Sequence, residues 1–266
     1  MHEKLSIADL QNRLELRHYK NDYIPAREDL VLVIGGKKVG TLQNFVTFTG
    51  HAKSGKSTYL AGTIARALSF DAKIKSIDLV LPEKRRKLCL FDTEQSEHDF
   101  YSSLNKIKNM AKIETLPQWF NAYAVREDDA DVIKQMIEVY LINNPDCSVL
   151  IIDGLLDLIH TFNDEIIAKQ LIQWLKFITK KYNILVIGVI HLTKKDNNTL
   201  GHLGSALDRY SQSVVEITKD VESGTMVMQP RLMRSDLEFD AVAIKYNNGD
   251  YVECLPPAIL PTNKKR

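Results

Sequence analysis

Gly50-His51-Ala52-Lys53-Ser54-Gly55-Lys56-Ser57 constrains this chain more than any other stretch. These residues fit G-x-x-x-x-G-K-[ST], the pattern of a phosphate-binding loop. The left flank, Asn44-Phe45-Val46-Thr47-Phe48-Thr49, reads as a short buried strand. The right flank, Thr58 to Ser69, reads as a helix with Leu60, Ile64, Ala67 and Leu68 on one side. Gly50 and Gly55 let the backbone approach a polyphosphate. The loop amides and the helix N-terminus then face the anion. Lys56 is expected to reach the β- and γ-phosphates, and Ser57 to offer a hydroxyl to Mg²⁺. The expected nucleotide-contacting set is Gly50, His51, Ala52, Lys53, Ser54, Gly55, Lys56, Ser57 and Thr58. His51 and Lys53 stand at variable positions of the pattern, and Lys53 reads more as a solvated loop charge than as a ligand.

Length and composition fit this reading. The chain has 266 residues, 44% hydrophobic and 26% charged, enough for one large domain with small additions. Net charge is +1, so no global basic field advertises nucleic acid. Basic residues cluster locally at Lys84-Arg85-Arg86-Lys87, Lys194-Lys195 and Lys264-Lys265-Arg266. The three cysteines, Cys89, Cys147 and Cys254, are spaced for neither a disulfide framework nor a zinc site. No signal-peptide pattern and no run of 18 apolar residues is present, so a cytoplasmic protein with no membrane partner is expected.

Residues 1–39 read as a polar, helix-containing arm with apolar positions at Ile7, Leu10, Leu14 and Leu16, ending in a strand at Val31–Ile34 and a Gly35-Gly36 turn. From residue 40 to 255 strands and helices alternate, and 256–266 is a tail. Lys87–Phe91 is a short apolar strand, and Val149–Ile152 and Ile184–Ile190 are fully apolar, which predicts a mostly parallel α/β sheet covered by helices on both faces. Beyond residue 210 short strands and the hairpin signal Asn247-Asn248-Gly249-Asp250 predict an antiparallel extension.

In such sheets ligands sit beyond the carboxyl ends of the strands. Asp153 follows Val149–Ile152, as in a Walker B strand, where a carboxylate holds Mg²⁺. The competing reading is a helix-capping aspartate. Glu94, in Phe91-Asp92-Thr93-Glu94-Gln95, is placed to orient and deprotonate a water. Its competing role is also a helix cap. His191 ends the next strand and can sense a γ-phosphate, against a plain strand-end histidine. Thr193 to Gly204 is polar and glycine-containing and reads as a mobile loop, in which Lys194, Lys195 and His202 are candidate nucleic-acid contacts.

Taken in this order, the four strand ends resemble the RecA superfamily of ATPases, nearest the DnaB-like and plasmid RepA-like hexameric helicases, over roughly residues 40–252. The stretch Gly201-His202-Leu203-Gly204-Ser205-Ala206-Leu207 is similar to the segment that follows the DNA-binding loop in that family. Together with Asp153-Gly154-Leu155 and Arg234-Ser235-Asp236-Leu237-Glu238-Phe239, it looks like small ATPases of bacterial mobile elements, of the mobilizable-transposon TnpC type. The resemblance implies a RecA-like fold, Mg²⁺ and ATP as cofactors, and Lys56, Glu94, Asp153 and His191 as catalytic residues. It further implies a ring, with Arg234 of one subunit completing its neighbour's site; Arg231 and Arg209 are the competitors for that role. Single-stranded DNA and mobile-element replication or recombination proteins are the implied partners. No counterpart of the replicative helicases' N-terminal domain, or of RecA's large C-terminal domain, is recognised, so a replicative or strand-exchange role is not expected. The alternative function is a nucleotide-binding regulatory or partner-binding module, as in KaiC-like relatives, without translocation.

Overall fold

The computed structural model describes residues 5–18, 29–161, 163–192 and 201–257. Nine strands form one sheet: β3 (Phe45–Gly50), β5 (Lys87–Asp92), β6 (Phe120–Ala124), β7 (Cys147–Asp153), β8 (Leu185–His191), β9 (Ser213–Lys219), β10 (Met226–Met233), β11 (Val242–Asn247) and β12 (Asp250–Cys254). Their order is β12-β11-β10-β9-β3-β8-β7-β5-β6. From β9 to β6 every pairing is parallel, and from β9 to β12 every pairing is antiparallel. A second sheet joins β1 (Leu30–Ile34), β2 (Lys37–Thr41) and β4 (Ile77–Leu79).

The parallel strands are buried on both faces because successive side chains feed two different cores. Leu88 and Leu90 of β5 and Val149 and Ile151 of β7 pack with α2 (Lys56–Leu68) and α3 (Glu97–Ala111). Cys89 and Phe91, with Leu150 and Ile152, pack instead with α4 (Ala130–Asn143), α5 (Glu165–Tyr182) and α6 (Gly201–Tyr210). Cys89 and Cys147 are thus core residues. Local signals set the helix ends. The Ser96 hydroxyl accepts from the amide of Asp99 at the start of α3, and the Asp164 carboxylate accepts from Ile166 and Ile167 at the start of α5.

The N-terminal part divides in two. Helix α1 (Ile7–Glu15) carries Ile7, Leu10 and Leu14, with Leu16 at its C-cap, all of them exposed. The β1–β2 hairpin instead belongs to the core, with Val31, Leu32, Ile34 and Val39 fully buried, and β2 straddles the 39/40 boundary. The expected loop to Gly204 is corrected at its end: Gly201 to Gly204 form the first turn of α6, because Leu203 and Leu207 bury one helical face against α5 and the sheet. Residues 193–200, with Lys194 and Lys195, lie outside the described residues. The expected C-terminal hairpin is present. Asn248 and Gly249 have φ of 48° and 88°, and Asn247 pairs with Asp250 across the turn.

Candidate functional site

The carboxyl ends of β3, β5, β7 and β8 meet at one place. There β3 passes into the glycine loop and then into α2, which is capped by Gly55 at φ 101° with no side-chain acceptor. The first amides of the helix are therefore left to an external anion. The loop packs so closely that a Cβ on Gly50 would lie 2.2 Å from the Ile217 carbonyl oxygen, and one on Gly55 would lie 2.3 Å from the Met226 sulfur. Inside the loop the Ser54 hydroxyl is 5% exposed and has no hydrogen-bond partner. A buried hydroxyl left unsatisfied is costly and marks a place where a polar ligand fits.

Lys56 turns back under the loop. Its Nζ donates to the carbonyls of Gly50 and His51, each at 2.8 Å, and to Nδ1 of His191 at 3.0 Å. With Lys56 an ammonium, Nδ1 has to accept, which leaves the imidazole proton on Nε2. Nε2 in turn donates to Glu94, 3.1 Å from each carboxylate oxygen. One imidazole therefore joins the loop lysine to the candidate water-activating carboxylate. Burial holds the Lys56 ammonium down to about 8, against the pull of Glu94 and Asp153. The hydrogen bond from His191 holds the Glu94 carboxyl below its usual range despite burial.

Asp153 ends β7 almost fully enclosed. Burial pushes its carboxyl up to about 7, with the negative charges of Asp92 and Glu94 adding to the effect and Lys56 and His191 opposing it. The β5 and β7 ends are joined by Thr93. Its hydroxyl lies 2.6 Å from Asp157 Oδ2 and 3.0 Å from the Asp153 carbonyl oxygen. Gly154, at φ 115°, admits that hydroxyl; a Cβ there would sit 2.0 Å from it. Asp92 shapes the Glu94 turn by accepting from the amides of Glu94 and Gln95 at 3.1 and 2.8 Å.

These groups open on a cavity of about 320 Å³. Lys53 to Thr58 form its near wall, and Glu94, Asp153 and His191 line it as well. The residues fit a magnesium–polyphosphate ligand. A hydroxyl at Ser57 and a carboxylate at Asp153 are hard oxygen donors that suit Mg²⁺. Among the described residues no group of three or more His, Cys, Asp or Glu could hold a metal ion.

Of the other expected contacts, His51 is half-buried, whereas Ala52 and Lys53 are exposed. His202 is exposed on α6. Arg209 is exposed at the end of α6, and Arg231 is paired with Asp208 at 2.9 Å. Arg234 is exposed at the opposite end of the sheet, its amide bonded to Gln212, whose own amide bonds to Phe45 at the start of β3. The length of β3, roughly 17 Å of strand, separates it from its own loop.

No protein-family model matches this chain, and no curated protein sequence matches it. The site therefore rests on its geometry and on the residues themselves.

Five contributors have no role in the sequence motifs: Asp92, Thr93 and Asp157 at the strand ends, and Tyr246 and Tyr251, which line the far side of the same cavity. Thr93 and Asp157 carry no motif, and their contact depends on β5 lying beside β7. The tyrosines had a legible signal. They stand at equal distance from the Asn248-Gly249 turn, and a two-residue hairpin pairs them directly.

Proposed function

We propose that this chain is a Mg·ATP hydrolase of a mobile element or plasmid, built on a RecA-like fold and acting as a ring on single-stranded DNA. The observation that carries the enzymatic part is the meeting of Lys56, Glu94, Asp153 and His191 around one cavity, behind a loop whose Gly50 has no room for a Cβ and whose Gly55 sits at φ 101°. The strand order supports it, since β8 lies between β3 and β7 and so brings His191 beside the loop lysine.

Lys56 would bind oxygens of the β- and γ-phosphates, exchanging loop carbonyls for them. Ser57 and Asp153 would hold Mg²⁺, which supplies charge neutralisation on the phosphates when bound. Glu94, ionised at neutral pH, would orient the attacking water and accept its proton. His191 contacts both Lys56 and Glu94, so displacement of the lysine toward phosphate would reach the carboxylate through a single ring. Arg234 lies too far from its own loop to act in cis, which fits a role on a neighbouring copy's γ-phosphate. The DNA part rests on the resemblance of Gly201–Leu207.

The test is Mg-dependent ATP hydrolysis with and without single-stranded DNA at low salt. Hydrolysis stimulated by DNA and abolished by Lys56→Ala is the expected result. No hydrolysis by the native chain sinks the enzymatic reading. Hydrolysis indifferent to DNA removes the helicase-like part.

One observation favours the regulatory module instead. Arg85 and Lys87 of the basic cluster are engaged with backbone carbonyls, Asn144 and Asp146, which halves the positive charge that cluster can offer DNA. Tight nucleotide binding without turnover would select that reading.

A further inference from the structure

We propose that Tyr246 and Tyr251 form the platform on which the base of a nucleoside triphosphate stacks. The inference deepens the nucleotide reading above and rests on it. The cavity does not stop at the phosphate loop. Its far wall comes from two hairpins, with Lys219, Gly224 and Met226 at the β9–β10 turn and Tyr246 and Tyr251 on β11 and β12. Met226 touches the loop at Gly55, so the phosphate end and the tyrosine end belong to one continuous space. The unpartnered Ser54 hydroxyl marks the polar end of that space.

The two tyrosines are direct cross-strand partners, with ring centroids 5.2 Å apart and planes inclined at 63°. This edge-to-face pair fixes the orientation of both rings. Tyr251 leans on the main core, whereas Tyr246 is 58% exposed beside the cavity. The hairpin that carries them is tied down. Asp250 is ion-paired with Lys73, and Glu253 Oε1 accepts from the Ser76 amide at 2.7 Å. A platform ordered in advance costs a ligand little on binding. Among the described residues the far wall offers ring faces, one lysine and one thioether, with no amide or carboxylate side chain to read a base edge. Stacking is tolerant of base identity because every base has a π face. The site should therefore take ATP and GTP with similar affinity.

Calorimetric titration with Mg·ATP, Mg·GTP and Mg·tripolyphosphate tests this. Tyr246→Ala should weaken both nucleotides on the order of tenfold and leave tripolyphosphate unchanged. Tyr246→Phe should restore nucleotide affinity. Unchanged nucleotide affinity in Tyr246→Ala overturns the platform, as does an equal loss for tripolyphosphate, which would mean a damaged loop. A preference above about tenfold between ATP and GTP overturns the stacking account. The underlying nucleotide reading fails separately, if the native chain binds tripolyphosphate no better than Lys56→Ala does.

Discussion

The two ends of the parallel sheet use the same kinds of side chain in opposite ways. At the amino end, Arg85 donates to the carbonyls of Asn183 and Cys147 at 2.5 Å and of Tyr182 at 2.6 Å. Lys87 reaches Asn144 and Asp146, and Arg86 lies over the Trp119 ring. Arg85 and Lys87 each close helix or strand ends and have spent their bonding capacity on the fold. At the carboxyl end, Lys56 and Asp153 are buried and Glu94 is partly exposed, and all three are shifted from their ordinary ionisation and face a cavity. Shifted groups gathered in a cleft point to chemistry, whereas saturated groups on a rim point to structure. A basic run in a sequence does not say which of the two it is.

The largest effect should come from breaking the carboxyl end alone. Lys56→Ala should remove turnover altogether in an ATPase assay. Glu94→Gln should keep nucleotide binding and slow hydrolysis by about 10²–10⁴-fold. Glu94→Gln should melt close to the native chain, whereas Lys56→Ala gives up its buried bonds to the Gly50 and His51 carbonyls and should fold but melt lower. A Glu94→Gln protein with native turnover would reassign the base.

The amino end should answer with stability instead. Arg85→Ala leaves three carbonyls without their charged donor and should cost about 3 kcal/mol in urea unfolding. Under folding conditions its nucleotide affinity should be native. A neutral Arg85→Ala would show that the cluster is spare and would return it to the candidates for DNA contact.

These contrasts also explain what was legible from residues alone. The strands β3, β5, β7 and β8 were legible because apolar runs on both faces have few other uses. Strand β2, Lys-Lys-Val-Gly-Thr, and the three residues of β4 carry no such run, and only tertiary pairing makes them strands. The start of α6 was hidden by two glycines and polar neighbours, although Leu203 and Leu207 were already spaced for one helical face. In the site, the loop and Asp153 are local patterns and could be read directly. The bond from Lys56 to His191 spans 135 positions and exists only because β8 is inserted beside β3.

Asp153 tests whether enclosure at the carboxyl end is costly to the fold. Its carboxyl is raised to about 7, so the folded state holds the proton more tightly than the unfolded chain. The stability tied to this group is complete below the ordinary carboxylate range near 4 and is lost as pH rises to about 7. Asp153→Asn removes that loss. Without divalent cations the variant should match the native chain at pH 4 and exceed it by about 4 kcal/mol at pH 8, read by thermal or urea unfolding. A variant less stable at pH 8 would mean that the carboxylate is compensated by contacts stronger than its burial.

The smallest effect separates two arginines that sequence alone left as rivals. Arg231 is half-buried and paired with Asp208, so Arg231→Ala should cost about 1 kcal/mol of stability. Arg234 is exposed, and Arg234→Ala should stay within about 0.5 kcal/mol of native. That near-silence makes Arg234 informative. A chain that folds and binds nucleotide normally, yet turns over slowly at every protein concentration, has lost something its own loop never touched. Mixing Arg234→Ala with Lys56→Ala chains should then recover part of the activity, because an interface between them can pair an intact loop with an intact arginine. If mixing recovers nothing while Arg231→Ala also slows turnover, the trans role passes to Arg231, and its pair with Asp208 becomes a latch that must open.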